Sequence, residues 1–330
     1  MPAPPTDSFH RKIDYLRLSI TDRCNLRCSY CMPASGVVKL DHTEILRYEE
    51  IVRLVRIAVS IGISKVRITG GEPLVRKDVL RLCASISRVP GLGGLSLTTN
   101  GVLLSDFAVG LLDAGIRRIN VSLDTLKPER FAKITGNDLF SRVWAGIMAA
   151  QEAGISPVKL NVVILCGVND DEIEDLARLT FQFPFHVRFI EFMPFRHQLD
   201  YEPVFVPSSE ILERLKRVAP LEASSAGEGN GPALHYRFHG AQGKIGIISP
   251  VSGHFCPSCN RLRVTSDGKL RTCLFSSDET DLRGPLRQGA SDEEIASAML
   301  AAINKKPEKH HLSSSVFRKC VSRPMFSIGG

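Results

Sequence analysis

Six of the nine cysteines fall into two triplets whose spacing suits metal chemistry. The first, Cys24, Cys28 and Cys31, reads C-x3-C-x2-C; the second is Cys256-x2-Cys259, then Cys273 after thirteen intervening residues. Thiolates grouped in this way bind zinc or an iron–sulfur cluster. Structural zinc takes four protein ligands, whereas three cysteines suit a four-iron cluster with one iron left open. Zinc with His254 as fourth ligand is the competing reading of the second triplet. Against it, His254 lies only two residues before Cys256, and no second C-x2-C pair follows. Cys83 and Cys166 read as small buried apolar residues, and Cys320 takes no assignment. The odd cysteine count, without a secretory or transit pattern over residues 1–17, argues for metal chemistry in a reducing cytoplasm rather than a disulfide framework.

Two further groups of residues have chemical meaning by position. Gly70-Gly-Glu-Pro73 follows a strand-like run, and glycines there let backbone groups approach a zwitterionic ligand closely. Arg261 and Arg263 lie between ligands of the second triplet and share a face if the segment is extended. Two guanidiniums on one face form a site for a polyanion. The formal charge of +7 agrees with an anionic partner, and 14 basic against 10 acidic residues over 220–330 carry more than half of it. No run approaches the roughly 18 apolar residues of a membrane span, and 43% apolar composition excludes a disordered chain.

Parallel α/β architecture positions these groups. Strand-like runs at 15–20, 65–69, 95–99, 118–123, 158–165 and 187–192 alternate with helix-period segments at 49–60, 78–89, 106–114, 140–153, 170–183 and 208–218. Asp170 and Ser208 are candidate N-caps, and Gly62, Gly115 and Gly154 are candidate helix stops. Six strand–helix units predict an incomplete, open triosephosphate-isomerase-type (β/α)6 barrel, short of the eight units that close. The first triplet then falls in the loop after the first strand, on the side where such folds bind ligands. The pattern stops near Pro220. We expect residues 1–220 to form the barrel and 221–330 an α+β cluster-binding region leaning on it. That region has an aperiodic loop at 223–232, short antiparallel strands at 235–238 and 244–248, and a helix at 292–303.

The first triplet with Tyr30 inside it, followed by Gly70–Pro73, resembles the radical S-adenosylmethionine (SAM) superfamily. Adding Leu16-Arg-Leu-Ser19, Arg67-Ile-Thr-Gly-Gly-Glu-Pro73, Thr98-Thr-Asn-Gly101, the second triplet enclosing Asn-Arg-Leu-Arg, and the terminal Gly329-Gly330, the chain resembles the GTP 3′,8-cyclase family over nearly its whole length. That resemblance implies two [4Fe-4S] clusters, one on each triplet, with SAM at the first and GTP as substrate. Tyr30, Gly71, Ser122 and Met193 match positions contacting SAM. Arg17, Arg67, Thr98, Lys159, Arg261 and Arg263 match positions contacting GTP. Arg17 is also a candidate for assisting the final reduction, and Gly329 and Gly330 for reaching into the active site. The implied chemistry is reductive cleavage of SAM, removal of the ribose 3′ hydrogen, and attack of C3′ on guanine C8, giving 3′,8-cyclo-7,8-dihydro-GTP. This is the first step of molybdenum cofactor biosynthesis. Implied partners are a low-potential electron donor and the next enzyme, cyclic pyranopterin monophosphate synthase; a homodimer is compatible, and neither nucleic acid nor membrane is expected.

Two other readings compete. A radical SAM peptide-modifying enzyme would use the second triplet for an auxiliary cluster, but commonly carries more C-terminal cysteines and needs no paired arginines. A zinc-bound basic RNA-binding protein would explain the charge and cysteines, but not Gly70–Pro73. The basic run at 305–311 lacks interleaved aromatics for stacking bases and reads as solvated surface.

Overall fold

Polar and apolar residues alternate along the strands, so each strand sends one set to either side of the sheet. In the computed structural model, which describes residues 2–32, 36, 39–193, 205–224, 231–310, 323 and 325–329, six strands form within one residue of the expected ends. They are β1 (Tyr15–Ser19), β2 (Lys65–Thr69), β3 (Gly94–Thr99), β4 (Arg118–Ser122), β5 (Val158–Ile164) and β6 (His186–Glu191). Their apolar set, including Leu16, Leu18, Val66, Ile68, Leu97, Val121, Leu160 and Phe189, is fully buried in the main core. Each such aliphatic side chain contributes about 1.5–3 kcal/mol. A one-residue slip would turn that set to the other face, so burial holds the register.

Helices Tyr48–Ser60, Val79–Ser87, Leu104–Asp113, Phe140–Glu152, Ile173–Gln182 and Ser208–Lys216 cover the apolar face, the first burying Ile51, Leu54, Val55 and Ala58. Gly62, Gly115 and Gly154 follow helix ends with φ of +98°, +92° and +89°, where a side chain is strained. The two expected N-caps differ. Asp170 opens a 3-10 turn and its carboxylate accepts from Gly167 N at 2.8 Å, while Ser208 is the first helical residue, after Pro207. A further helix, Pro128–Thr135, was not legible because Phe131 and Ile134 are its only buried large apolar residues.

The C-terminal part adds β7 (Leu221–Ala223), β8 (Leu234–Phe238), β9 (Lys244–Ile248), β10 (Arg261–Val264), β11 (Lys269–Arg271) and β12 (Thr280–Asp281). As expected, β8 and β9 are antiparallel. However, β9 also pairs in parallel with β6, and β10 in parallel with β1. Eight parallel strands therefore stand side by side in the order β10-β1-β2-β3-β4-β5-β6-β9. The barrel nevertheless stays open. The outer edge of β10 is taken by antiparallel β11 and that of β9 by antiparallel β8, so the two cannot pair with each other. Helix Asp292–Asn304 begins with a Ser291–Glu294 capping box, and its Asp292 meets Arg53 at 2.7 Å. Among the described residues, no helix is long and apolar enough to cross a membrane. Gly330, Cys320, His311 and most of the 223–232 loop lie outside the described residues.

Candidate active site

The polar set of the strands faces inward and lines a cavity of about 1070 Å³. A closed barrel of this type fills its interior with layers of branched apolar side chains; here that space is left for a ligand. Arg263, Arg17 and Arg67 are register partners on the adjacent strands β10, β1 and β2, which sets three guanidiniums at one level of the wall. Asn120, Lys159, His186 and Lys244 are matched in the same way across β4, β5, β6 and β9. Arg67 donates to the Tyr15 hydroxyl and to Thr98 Oγ1 at 3.3 Å.

So much buried positive charge works against its own ionisation. Burial, with Arg67 and Arg261 nearby, lowers Arg17 to about 10. Burial and the charges of Arg67 and Arg17 bring Arg188 to about 9, and burial with Arg188, Arg67, Arg118 and Lys244 brings Lys159 to about 7. Among the described residues, Asp124 is the one carboxylate lining the cavity. Arg17 Nε, Arg188 Nε, Asn120 Oδ1, Asn161 Oδ1 and His186 Nδ1 are buried without a hydrogen-bond partner. Buried polar groups are ordinarily satisfied, so this wall is built for an anionic, hydrogen-bonding guest.

The first triplet occupies the loop after β1 at the C-terminal rim of the barrel. Backbone bonds from Cys31 N and Met32 N to Cys28 O, both 2.9 Å, shape its turn. Gly70 and Gly71 lie directly on this loop. A Cβ on Gly71 would stand 2.4 Å from Arg23 O, and Gly71 N and Glu72 N donate to Thr21 O and Arg23 O at 2.8 Å. The glycine pair is thus required for backbone packing. Glu72, fully buried, accepts from Leu74 N, Thr99 Oγ1 and Asn100 N at 3.0, 2.7 and 2.6 Å, and burial pushes it up to about 7. Asn100 Nδ2 in turn reaches Cys24 Sγ at 3.7 Å. The motifs 70–73 and 98–101 therefore brace the cysteine loop. Tyr30 donates to Asp124 Oδ2 at 2.6 Å, and Gly71, Ser122 and Met193 stand at or just beyond the ends of β2, β4 and β6 on the same rim.

The second triplet flanks the open seam. The segment between β9 and β10 crosses that seam and carries Cys256 and Cys259, while Cys273 follows β11. Arg11 ties the segment to the N-terminus, donating to Cys256 O at 2.9 Å. Burial raises the Cys259 thiol, but the charges of Arg261 and Lys306 outweigh it and bring it to about 7. In contrast, burial and the neighbouring thiols lift Cys28 well above its ordinary value, and burial with Cys24 lifts Cys31 to about 12. Three thiolates crowded in such a site call for a cationic metal group. A mononuclear site would gather its ligand atoms closely around one ion, with zinc–sulfur bonds of about 2.3 Å. The one described group of three candidate ligand atoms mutually within 4.8 Å is His254, Cys256 and His310, and neither cysteine triplet is gathered so tightly. Thiolate donors of this kind also suit an iron–sulfur cluster. His254 Nδ1 and His310 Nε2 face each other at 3.1 Å.

The tail segment Met325–Ile328 enters between the two triplets. The Phe326 N–H lies against the Cys31 sulfur, while Phe275 and the buried Ile328 form a small cluster with Met193, Cys273 and Met325 against it. Arg263 Nη1 donates to Gly329 O at 2.9 Å. Gly329 has φ of +77°, and a Cβ there would stand 2.7 Å from Thr69 Cγ2.

All ten residues matched to SAM or GTP positions, and all six triplet cysteines, line this one cavity; Gly329 reaches it through Arg263. Arg261 and Arg263 do share a face, and the Arg261 guanidinium also stacks on the Phe255 ring at 4.7 Å. Sequence reasoning missed Arg188, His186, Lys244, His235 and Asp124. The first three are in phase with the matched residues of neighbouring strands, so extending the alternation would have found them. The inward placement of these cations also removes the RNA-binding reading, which needs them on an accessible surface.

Residues 18–180 match the family model described as Radical SAM superfamily, and residues 185–312 match that described as Molybdenum Cofactor Synthesis C. The chain is 51% identical over 324 residues to the GTP 3′,8-cyclase of Moorella thermoacetica, covering 98% of this chain and 99% of the relative. It is 47% identical over 326 residues to the GTP 3′,8-cyclase of Pelotomaculum thermopropionicum, again covering 98% and 99%. Among solved structures, Streptococcus suis SuiB bound to S-adenosylmethionine shares the fold, with a TM-score of 0.60 and 16% identity, over 86% of this chain and 68% of that one. With its open parallel barrel and both cysteine triplets on a single cationic cavity, the chain belongs to the GTP 3′,8-cyclase family of the radical SAM superfamily.

Proposed function

We propose that this protein converts GTP to 3′,8-cyclo-7,8-dihydro-GTP, the first step of molybdenum cofactor biosynthesis. The observation that carries this reading is one cavity with a cysteine triplet at its rim, a second beside its seam, and a wall of arginines and lysines between them. Cys24, Cys28 and Cys31 would hold one [4Fe-4S] cluster, and Cys256, Cys259 and Cys273 a second. Bound there, such clusters would supply a reducing electron for SAM at the first triplet and a metal contact for the substrate at the second. Residues 1–220 would serve as the SAM-binding unit, and 221–330 as the unit presenting the substrate.

The chain's own residues bind, orient and exclude water. Tyr30, held by Asp124, would pack on the SAM adenine, with Gly71, Ser122 and Met193 completing the rim. Arg17, Arg67, Thr98, Lys159 and Arg188 would hold phosphate oxygens through charge-assisted bonds, drawing on the unpartnered Nε atoms of Arg17 and Arg188. Arg261 and Arg263 would fix the nucleotide beside the second triplet. Arg17, a register partner of both Arg67 and Arg263, would also assist the final reduction. Gly329 and Gly330 would close the site, Gly329 through its bond to Arg263. A low-potential donor would supply electrons, and cyclic pyranopterin monophosphate synthase would take the product.

Anaerobic purification with metal analysis, followed by incubation with dithionite, SAM and GTP, tests this reading. About eight irons per chain and a GTP-derived cyclic product are expected. Stoichiometric zinc without iron would refute it, and SAM cleavage with no GTP-derived product would favour a peptide modifier. Replacing Arg261 and Arg263 with Ala should weaken GTP binding while SAM cleavage stays measurable.

A further inference from the structure

The basic run at 305–311 is not all solvated surface. Lys305, Glu308 and Lys309 are exposed, but Lys306 and His310 are buried, with Lys306 only 3% exposed. Both turn toward the second triplet. Lys306 follows helix Asp292–Asn304, and its N–H donates to Ile303 O at 3.0 Å as the chain leaves the helix. Its ammonium donates to Arg261 O at 3.0 Å, to Thr272 O, and to the Cys259 sulfur. Four residues on, the His310 N–H lies against the Cys256 sulfur, and the His310 ring packs on Phe275 at 4.7 Å. Arg11 holds the residues between them, donating to Pro307 O at 2.7 Å and to Glu308 O at 2.8 Å. The segment bends round the triplet and is fastened at both ends.

A lysine buried this deeply is ordinarily paired with an acid. Among the described residues the countercharges of Lys306 are the thiols of Cys259 and Cys273, with no carboxylate among them. Its bonds to two carbonyls fix the ammonium in place, so the charge stays beside the sulfurs. A four-iron cluster on three thiolates is anionic, and an added electron makes it more so. Cluster potentials follow net charge and hydrogen bonds to sulfur, so a fixed ammonium and sulfur-directed N–H groups favour the reduced form. This step rests on the second-cluster reading above. We propose that Lys306 is the buried countercharge of that cluster, raising its reduction potential and securing its iron, with the His310 N–H as a second sulfur contact.

The test is a redox titration of the anaerobic, cluster-loaded enzyme with dithionite, followed by electron paramagnetic resonance. One electron from dithionite enters each cluster, and no proton accompanies it. The signal that SAM leaves unmoved belongs to the second cluster. Lys306→Met is expected to lower the equilibrium constant for reducing that cluster by about tenfold or more, about 59 mV in potential. The potential of the first cluster and SAM cleavage should stay unchanged. An unchanged second potential in a variant that keeps about eight irons overturns the proposal, as does an equal shift in both clusters. If Lys306→Met sheds iron, a selective fall to about four irons with SAM cleavage intact supports it. If both clusters are lost, Lys306→Gln, which keeps a donor for the two carbonyls without the charge, is titrated with the same outcomes. Loss of both clusters in that variant too makes Lys306 a general structural residue and overturns the proposal. An intact enzyme with iron at the first triplet alone refutes the second-cluster reading instead.

Discussion

At Lys159, burial and the charges of Arg188 and Arg67 hold the ammonium to a pKa of about 7, down from 10.5. The sign of its effects follows. Between those values the unfolded chain binds a proton that the folded, ligand-free chain does not, so this residue's contribution to stability rises with pH across that window and is least below 7. A bound polyphosphate reverses the preference, because it favours the charged form. At pH 8 the free enzyme holds Lys159 about nine-tenths neutral, so GTP binding should take up close to one proton there. Calorimetry at pH 8 in buffers of differing ionisation enthalpy measures that uptake, which Lys159→Met should abolish. Zero uptake in the intact enzyme would place Lys159 away from the phosphates. Lys159 also marks the limit of what single residues disclose. Its type and strand position suit an ordinary polar strand residue, and only the register beside Asn120 and His186 makes it part of a wall.

Strand ends were legible because alternation and helix period are local properties of the chain. Strand partners were not: 261–264 could be read as extended, but nothing local says that it lies beside β1 rather than at an outer edge. The carboxylates that brace the site were equally hidden. Glu72, Glu172 and Glu191 are all buried, and each collects donors from a neighbouring loop at the rim. Glu191, the last residue of β6, accepts from Ser208 N at 2.8 Å, from Val251 N and Ser252 N at 3.0 Å, and from Ser252 Oγ. It thereby fixes the start of the seam-crossing segment that carries Cys256. Glu191→Gln turns an amide toward those donors and leaves buried N–H groups unpaired, at about 1–3 kcal/mol each. We expect the melting temperature to fall by about 2–8 °C. Cluster content should fall selectively, with iron lost from the second triplet, whereas Glu72→Gln should affect the first. Thermal melts, iron counts and electron paramagnetic resonance of the two variants distinguish these patterns. Equal loss of both clusters in both variants would make the carboxylates general stabilisers rather than braces of separate loops.

At the scale of the whole molecule, the C-terminal part grips both edges of the six-stranded half. β10 pairs with β1 through four register positions, and β9 with β6 through five. Leu262, Val264, Ile245 and Ile247 are buried in the same core as the barrel strands. The segment joining β9 to β10 bridges the open seam and bears two of the second triplet's cysteines, so completing the sheet and siting those cysteines are one structural event. Chain composition suggested a boundary near Pro220, where the strand–helix rhythm stops, but a break in rhythm is not a break in the sheet. A chain ending at residue 220 would expose the unpaired edges of β1 and β6, together with the apolar surface that β9 and β10 cover. Parallel strands with bare edges are templates for aggregation. Residues 1–220 expressed alone should therefore be insoluble or melt without cooperativity, and co-expression with 221–330 should recover a soluble complex that binds both clusters. Size-exclusion chromatography and thermal melts of the separate and paired fragments measure this. A monomeric 1–220 fragment with a cooperative melt would show that the barrel half stands alone and that the C-terminal strands merely dock on it.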